Sequence, residues 1–504
     1  MPDTEVLIAG AGPTGLVLAL SLAHRGIGVR ILDKAAGPGE TSRAMVVQAR
    51  TLELYRQLGL AEAAIAHGLP VERVHLREAQ EEVATVSLQD FGGGLSPYPF
   101  ALAFPQDDHE RFLVERLAAA GIPVEWGTEL AGFAEEGSGI RATLRRDGAE
   151  QGCAAAYLCG CDGAHSRVRE ALGIGFPGGT YRQLFYVCDA RIAGEFQRDL
   201  TVNLAAHGLA LLFPVRRNGM QRLLGLVPEA LSDRRDLTFE DIRADAEAML
   251  GVRVTAVNWF STYHVHHRVA ARFRAGRAFL AGDAGHIHSP AGGQGMNTGI
   301  GDAVNLGWKL AEVLRGRAGT AILDTYESER IAFARTLVET TDQAFRAMVS
   351  EGIGGRLLRH WLVPHLLPML AGFSAARHAF FRTLSQTRIA YPGSALSEGE
   401  AGGVEAGDRM PWVAEPDNFA PLDGRGWRLQ VHGAVRPPLA AEAAARGLPV
   451  DAFPWGDAAR AAGLERDAAY LLRPDGHVGL ADPAQDPGRL AAYAAKHGLG
   501  FGAA

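Results

Sequence analysis

The sequence predicts an α/β protein in which a nucleotide-binding domain is interrupted by a second domain made mainly of β-sheet. A short apolar strand at Val6–Ala9 leads into the glycine-rich turn Gly10–Gly15 and then into an apolar helix, which is how a βαβ unit begins. Residues 176–274 have a different pattern, because strand-like runs dominate and a single helix, Phe239–Leu250, interrupts them. The length of 504 residues corresponds to about three ordinary domains, so a further domain is expected.

The domain boundaries follow from changes in this pattern. A glycine-rich stretch from Pro392 to Asp408 separates apolar helices from the short strands and alanine-rich helices that come after it. We therefore expect a nucleotide-binding domain at residues 1–175 and 275–400, an inserted sheet domain at 176–274 with a contribution from about 73–100, and a small C-terminal domain at 405–504.

The turn Gly10–Gly15 has the G-x-G-x-x-G spacing of dinucleotide-binding βαβ units. The first glycine makes the turn, the second admits the pyrophosphate, and the third lets helix and strand pack closely. Asp33 ends the next strand, 18 residues after Gly15, where a carboxylate accepts a hydrogen bond from a ribose 2′-hydroxyl. A carboxylate disfavours a 2′-phosphate, so FAD or NAD fits this site better than NADP.

A second glycine-rich stretch follows the apolar strand Ala278–Ala281 and runs from Gly282-Asp283 to Asn297. Six glycines from Gly282 to Gly299 let the backbone approach a flat or bulky ligand. Asp283 is expected at the carboxyl end of a strand, where open α/β sheets bind their ligands. The helix that begins near Asn297 offers free N–H groups to an electron-rich atom. The alternative interpretation is a tight structural turn followed by a helix cap.

Two further polar residues are candidates for contacts with the nucleotide. Arg43 lies on a loop before a predicted helix, Ala44–Leu58, and a guanidinium can hold a phosphate with two hydrogen bonds. The alternative for Arg43 is a solvated loop cation. Gln106 comes just before a second predicted helix, His109–Ala120.

Composition and charge argue against several classes of partner. The net charge of −7 gives no basic surface for nucleic acid, and no run of 18 apolar residues predicts a membrane span. The acidic start of the chain has no secretory signal, so we expect a cytoplasmic protein. The cysteines have a spacing that is unusual for zinc, and buried thiols are the simpler interpretation. They are Cys153, Cys159, Cys161 and Cys188.

Three motifs stand in a fixed order along the chain: Gly10–Gly15, Cys161-Asp162-Gly163 and Gly282-Asp283. Together with the loop that begins at Ser289, they resemble the FAD-dependent aromatic hydroxylases, the single-component flavoprotein monooxygenases typified by para-hydroxybenzoate hydroxylase. The resemblance covers about residues 4–345 and implies a Rossmann-like FAD-binding domain with an inserted substrate-binding sheet. The C-terminal domain is similar to the thioredoxin-like domain of phenol and polyketide hydroxylases. It contains no cysteine, which excludes a thioredoxin redox role and leaves a packing or dimer role.

The resemblance implies non-covalent FAD and assigns roles to matching residues. The glycines of the first turn would hold the pyrophosphate, Asp33 the adenosine ribose, and Arg43 the ADP part. Gln106 and Asp283 would hold the ribitol chain, and Asp162 belongs to a motif that serves both FAD and reduced nicotinamide. The loop at 290–297 would flank the flavin ring and bring backbone N–H groups to its N1–C2=O edge. The full implied set is Gly10, Gly12, Pro13, Thr14, Gly15, Asp33, Lys34, Arg43, Gln106, Asp162, Asp283, Pro290, Gly293, Gly295, Met296 and Asn297.

The function implied by the resemblance is that of an NADH- or NADPH-dependent monooxygenase. It would hydroxylate a small phenolic or polycyclic aromatic substrate with O2, through a flavin C4a-hydroperoxide. Alternatives are Baeyer–Villiger-type or antibiotic-modifying oxygenation on the same scaffold, and a protein that binds FAD and a polyketide without turnover. The protein is expected to be a monomer or a homodimer.

Transfer of a hydroxyl group to an aromatic ring needs a phenolate, so a proton acceptor is expected near the substrate. The tyrosine pair that serves this purpose in para-hydroxybenzoate hydroxylase has no clear counterpart here. His207, just before the apolar strand Ala210–Val215, is the first choice, and Pro290 and Gly293 are the loop residues expected at the reacting ring. The polar candidates from the inserted sheet are Tyr181, Asn203, His207, Tyr263 and His264, and the loop adds Gln294 and His288.

Overall fold

The structure, a computed structural model, describes residues 2–40, 44–78, 80–205, 208–215, 218–289, 293–349 and 373–502. Its first 175 residues contain β1 (Thr4–Ala9), α1 (Pro13–Ala23), β2 (Val29–Asp33), β3 (Val46–Val47), α2 (Ala49–Gln57), α3 (Ala61–His67), β4 (Leu69–Val71), β5 (Arg73–Glu78), β6 (Glu81–Ser87), α4 (Leu88–Gly92), β7 (Ala101–Ala103), α5 (Gln106–Ala119), β8 (Val124–Trp126), β9 (Thr128–Glu136), β10 (Gly139–Arg146), β11 (Ala149–Gly160) and α6 (Arg167–Ala171).

The rest of the chain continues in the same numbering. After α6 come β12 (Gly178–Ile192), β13 (Leu200–Ala205), β14 (Gly208–Pro214), β15 (Gln221–Leu226), α7 (Phe239–Leu250), β16 (Val254–Val269) and β17 (Arg274–Ala275). Then follow β18 (Ala278–Leu280), β19 (His286–Ile287), α8 (Gly295–Leu314), α9 (Asp324–Val349), α10 (Ser374–Leu384), β20 (Glu400–Ala401) and β21 (Val404–Glu405). The last elements are β22 (Arg428–His432), α11 (Pro437–Ala445), β23 (Val450–Phe453), α12 (Asp457–Ala461), β24 (Ala469–Leu472), β25 (Val478–Asp482) and α13 (Pro487–His497).

The nucleotide-binding domain is built on an eight-stranded sheet with the path β17-β18-β11-β1-β2-β8. The other two strands, β10 and β9, lie off this path, with β10 paired to both β11 and β9. Strands β18, β11, β1, β2 and β8 run parallel, and their register sets Gly160 beside both Ala9 and Leu280. The carboxyl ends of β1, β11 and β18 therefore lie next to one another. Because the three sequence motifs follow these three strands, the sheet brings all of them to one edge.

A second eight-stranded sheet has the order β19-β16-β12-β15-β14-β13-β5-β6. Strands β5 and β6 join it because β13 pairs in parallel with β5, so residues 73–78 and 81–87 form its far edge. Helix α7 covers one face, where Phe239 and Ile242 pack against Tyr186, Cys188 and Leu223. Successive side chains of a strand point to opposite faces of the sheet, so the residues between Tyr186, Cys188 and Leu223 and their neighbours face away from α7.

The C-terminal domain has a four-stranded sheet in the order β23-β22-β24-β25. Strand β22 is parallel to β23 and antiparallel to β24, which pairs in turn with β25, and α13 follows. This βαβ–ββα order is that of a thioredoxin-like domain. Its core is continuous with that of the nucleotide-binding domain, since the rings of Trp427 and Trp308 meet edge to face at 5.7 Å.

All four cysteines are buried free thiols, as the sequence indicated. Among the residues that the structure describes, no helix combines the length and the apolar character needed to cross a membrane.

Candidate functional site

The turn after β1 is so compact that two of its glycines admit no side chain. Gly10 has a φ of +102°, and a Cβ atom there would lie 2.2 Å from the carbonyl oxygen of Cys161. A Cβ on Gly15 would lie 2.0 Å from the carbonyl oxygen of Gly10. Gly12 differs, because a Cβ there would meet nothing within 4 Å. The turn is therefore tightly packed against backbone at Gly10 and Gly15 and open to solvent space at Gly12. This open space can take a pyrophosphate at the N-terminus of α1.

The carboxylate of Asp33 holds this turn in place. Its Oδ2 accepts a 2.8 Å hydrogen bond from the N–H of Ala11, and its Oδ1 accepts one of 2.8 Å from the N–H of Ala35. A carboxylate oxygen has two lone pairs, so the half-buried group keeps capacity for a ribose hydroxyl. Beside it Lys34 is exposed, and Pro13 opens α1 at the far side of the turn.

Asp162 follows β11 at the same edge of the sheet. Its Oδ2 accepts hydrogen bonds from the N–H groups of Arg167 at 2.7 Å and Val168 at 3.2 Å. Its Oδ1 is buried and has no hydrogen-bond partner in the part of the chain that the structure describes. Leaving a buried carboxylate oxygen unpaired is costly, so this atom is a candidate contact for a donor on a ligand.

Gln106 and Glu110 hold the loop that leads away from Asp33. The side-chain amide of Gln106 accepts from the N–H of Ala44 at 3.3 Å and donates to Glu110 at 2.8 Å. Glu110 in turn accepts from the N–H of Gly39 at 2.9 Å. Burial raises the pKa of Glu110, although these hydrogen bonds act in the opposite direction. Both ends of the loop that contains Arg43 are thus fixed to α5, while Arg43 itself lies outside the described residues.

Thr14 joins the first turn to the second. A Cβ on Gly282, which has a φ of +60°, or on Gly299 would lie 2.4 Å from the Oγ1 of Thr14. The lack of side chains at these two positions lets α1 pack directly on the turn after β18 and on α8. Asp283 belongs to that turn, in the short 3-10 helix Gly282–Ala284, and its side chain is exposed at the sheet edge.

A buried group of charges supports this turn from behind. Asp302 on α8 accepts from the N–H of Gly282 at 2.9 Å and lies 2.7 Å from the Nε2 of His286. Its other oxygen accepts from Arg330 at 2.6 Å, and Arg330 also donates to the Thr298 carbonyl at 3.0 Å. Burial opposes ionisation, but the charge of Arg330 and these hydrogen bonds hold the pKa of Asp302 below its usual value. The members of this group are far apart along the chain, so it could not be predicted from the sequence.

Asp302→Asn is expected to destabilise the protein by about 3 kcal/mol, because it leaves the buried Arg330 without its counter-charge. Denaturant unfolding of the FAD-free protein measures this. Asp457→Asn is the matched control, since the exposed Asp457 carboxylate lies 3.3 Å from the exposed Arg460 and its loss should leave stability almost unchanged. Equal losses for the two variants would contradict the role given to Asp302.

The N-terminus of α8 presents free backbone donors. The first hydrogen bond inside this helix runs from the N–H of Thr298 to the carbonyl of Gln294. The N–H groups of Gly295, Met296 and Asn297 precede it and make no such bond. Together with the helix dipole, they favour an electron-rich or anionic atom at this end.

The side chain of Asn297 is fully used within the protein. Its Oδ1 accepts from the N–H of Gln48 and the hydroxyl of Thr51, each at 2.8 Å. Its Nδ2 donates to the carbonyls of Val46 at 2.8 Å and Gly293 at 2.9 Å. These bonds explain why the helix predicted at 44–58 was wrong at its start. Residues 46–47 form a strand and α2 begins at Ala49, because bonds to a residue about 250 positions away hold the segment extended.

The face of the second sheet opposite α7 is an apolar wall. Residues that are adjacent in register supply it, with Leu211 opposite Leu224 and with Phe185 between Leu226 and Tyr263. All but Phe185 are half-buried, so they remain accessible to a ligand.

This wall borders the glycine-rich stretch at 293–297, at the start of α8. Met45 packs with Val215 and Met220 at the end of the wall, and Phe213 contacts the same cluster. The next residue, Val46, is so close to Gly293 that a Cβ on Gly293 would approach its Cβ to 3.2 Å. The apolar wall and the glycine-rich loop therefore share one border.

A buried ion pair crosses the same face of the sheet. Arg222 donates two hydrogen bonds to Asp189, at 2.6 and 2.8 Å, and its guanidinium lies 5.8 Å from the ring of Trp259. A cavity of about 450 Å³ adjoins Asp189 and Trp259 and reaches Glu40 and the start of α5. Only the register of β12, β15 and β16 brings these residues together, so the pair could not be predicted from the sequence.

The candidates for a proton acceptor differ in their positions and hydrogen bonds. Asn203 is structural, since it donates to the Met249 carbonyl and accepts from the N–H of Gln80 at 3.2 Å. His264 is exposed, whereas Tyr263 belongs to the apolar wall. Two predicted catalytic residues, His207 and Pro290, lie outside the described residues.

His288 is a further candidate in the loop. Its Nδ1 lies 2.8 Å from the Ser289 carbonyl, while its Nε2 is buried without a partner among the described residues. The ring lies beside the first turn of α8, because a Cβ on Gly295 would be 3.7 Å from Nε2. Burial lowers the pKa of His288 to about 4, so the ring is neutral at pH 7. The bond from Nδ1 to a carbonyl puts the proton on Nδ1 and leaves a lone pair on Nε2.

Comparisons with known proteins agree with this arrangement. A family model described as "FAD binding domain" matches residues 3–341. The chain is 39% identical to a 6-methylpretetramide 4-monooxygenase of Streptomyces rimosus, over 79% of this chain and 72% of that protein. It is 30% identical to a pentachlorophenol 4-monooxygenase of Sphingobium chlorophenolicum, over 94% and 93% of the two chains. A solved ternary complex of aklavinone-11 hydroxylase with FAD and aklavinone has a TM-score of 0.79 and 26% identity, over 98% of both chains. These likenesses confirm the predicted fold class.

Proposed function

Because this chain belongs to the FAD-dependent aromatic hydroxylase family, we propose that it is an NADH- or NADPH-dependent monooxygenase acting on a phenolic or polycyclic aromatic substrate. The observation that carries the proposal is the meeting of three turns at one sheet edge, facing an apolar wall of the second sheet. A site between glycine-rich turns and an apolar wall can bind a flat cofactor beside a flat aromatic ring.

FAD fits the residues of this edge. The open space at Gly12 and the N-terminus of α1 would take the pyrophosphate, and Asp33 would take the adenosine ribose. Asp283 and Gln106 would hold the ribitol chain, and the unpartnered Oδ1 of Asp162 would accept from a donor on FAD or reduced nicotinamide. When bound, the flavin supplies the redox chemistry, since it takes a hydride from NADH or NADPH and activates O2.

The residues of the chain would then orient the substrate and control its proton. The N–H groups of Gly295, Met296 and Asn297 would stabilise negative charge on the reduced ring. Leu211, Leu224 and the rest of the apolar wall would exclude water and hold the aromatic substrate. The cavity beside Asp189 and Arg222 leaves room for the far end of an elongated, polycyclic substrate.

We assign the proton acceptor to His288. Its neutral ring, with the proton held on Nδ1 by the Ser289 carbonyl, offers the Nε2 lone pair to the substrate hydroxyl. Burial lowers the pKa of His288 to about 4, so the ring is too weak a base to form a phenolate before the reaction. It takes the proton as oxygen adds to the adjacent ring carbon, because the positive charge that then develops makes the hydroxyl strongly acidic.

His288→Phe is expected to keep FAD but to lower the rate of hydroxylation about a hundredfold, which is an ordinary loss for a general base. Product formed per nicotinamide oxidised should fall, and hydrogen peroxide should appear in its place. His264→Phe removes an exposed imidazole from the same sheet region and is expected to leave both quantities unchanged. If the two variants behave alike, the proton acceptor is another group.

The proposed function is tested by the oxidation of NADH and NADPH by the FAD-loaded protein. A set of phenols and polycyclic phenols is added, and both nicotinamide loss and product mass are measured. We expect at least one phenol to stimulate oxidation and to gain one oxygen atom. Stimulation without a hydroxylated phenol, or a ring-expanded ester as product, would favour a different oxygenation. No turnover with bound FAD would favour a binding protein.

A further inference from the structure

A turn of the C-terminal domain lies deep in the interface with the nucleotide-binding domain. It comprises residues 473–477, between β24 and β25, and we refer to it as the 473–477 turn. Asp475 at its centre is buried, and its Oδ2 accepts from Trp308 at 3.0 Å and from Asn305 at 3.4 Å, both on α8. Its backbone carbonyl accepts from Arg50 on α2 at 2.6 Å. A single residue of the turn thus binds both helices.

Buried charges fix the turn itself. Arg473 donates to both carboxylate oxygens of Glu329, each at 2.9 Å, and Lys309 on α8 donates to the same carboxylate at 2.7 Å. The side chains of these three residues are fully buried. Such groups add little net stability compared with apolar residues, but they define geometry strictly, because each lost partner leaves a buried charge.

Helices α2 and α8 are joined a second time at the first turn of α8. Asn297, in the first turn of α8, binds Val46, Gln48 and Thr51, which lie in and just before α2. The N-terminal end of α2 is therefore linked twice to α8, to its first turn through Asn297 and to its middle through Asp475. The segment 44–48 leads into α2 and the stretch at 293–297 leads into α8, and both border the apolar wall.

We propose that the 473–477 turn positions the FAD site, with Asp475 as a positioning residue that sets the segment 44–48 against the loop at 293–297. The cysteine-free C-terminal domain then acts as a fixed support of the cofactor site. This inference rests on the proposed placement of FAD at the N-terminus of α8. It does not depend on the reaction, because FAD binding and backbone exchange are measured without turnover.

Asp475→Ala is the direct test. It should weaken FAD binding to the deflavinated protein about tenfold, which corresponds to about 1.4 kcal/mol. It should also speed amide hydrogen exchange in residues 44–48. Asp475→Asn should have a smaller effect, because the amide oxygen can still accept from Trp308.

Two further variants make the result decisive. Tyr493→Phe removes a buried hydrogen bond from α13 of this domain to the Leu396 carbonyl, away from the turn, so it should lower the melting temperature without changing FAD affinity. Arg50→Met removes the link from α2 to the turn and a 3.0 Å hydrogen bond to Glu53, which keeps its two hydrogen bonds from Arg409. If Asp475→Ala does not fold, Arg50→Met is used to test the proposal in its place. The proposal is overturned if Asp475→Ala, or Arg50→Met in its place, lowers stability as Tyr493→Phe does and leaves FAD affinity and exchange at 44–48 unchanged.

Discussion

Gly12→Ala is expected to yield a folded protein that has lost most of its FAD. A Cβ at Gly12 would enter the open space before α1, which the pyrophosphate needs, and would meet no atom of the protein. Its backbone, with a φ of −74°, suits any residue, so the fold should not change. We expect FAD affinity to fall at least a hundredfold, or about 2.7 kcal/mol, measured by flavin fluorescence on the deflavinated protein.

Two other glycine variants are controls, one for normal FAD binding and one for a disturbed fold. A Cβ on Gly426 in the C-terminal domain also meets nothing within 4 Å, so Gly426→Ala should bind FAD normally. Gly15→Ala would press on the Gly10 carbonyl at 2.0 Å and should instead disturb the fold itself, seen as a lower melting temperature. Normal FAD affinity in Gly12→Ala would show that the pyrophosphate does not lie at this turn.

Asp283→Ala is expected to leave mostly apoprotein. Its side chain is exposed on the turn after β18, so the loss should not affect folding, while FAD would lose a carboxylate acceptor for its ribitol hydroxyls. The ratio of flavin to protein in the purified sample measures the effect. Asp324→Ala, which removes an exposed carboxylate paired with Arg274, is the control and should retain FAD. Full occupancy in Asp283→Ala would contradict the assignment of the ribitol site.

The meeting of Gly10, Asp162 and Asp283 could be predicted from the sequence because it depends on local patterns. Each motif follows an apolar strand, and parallel strands align their carboxyl ends. The family resemblance drawn from these motifs is confirmed. Their detailed contacts with FAD remain predictions.

Other features depend on long-range contacts that leave no local pattern. The extended segment before α2 includes the helix formers Ala44 and Met45, yet hydrogen bonds between Asn297 and Val46 and Gln48 hold it extended. Asp302 and Arg330 lie on different helices, and Asp189 and Arg222 on neighbouring strands. A sequence gives the charges of such residues but not their pairing. The link from Asp475 to α8 was hidden for the same reason, since it joins two domains.

The central claim is that the chain transfers an oxygen atom from O2 to an aromatic ring with electrons from nicotinamide. The most direct measurement supplies the FAD-loaded protein with NADH or NADPH, a phenol that stimulates nicotinamide oxidation, and isotopically heavy O2. We expect a phenolic product that carries one heavy oxygen atom, formed in proportion to the nicotinamide consumed. A product without the label, or oxidation that yields only hydrogen peroxide with every phenol tested, would contradict it.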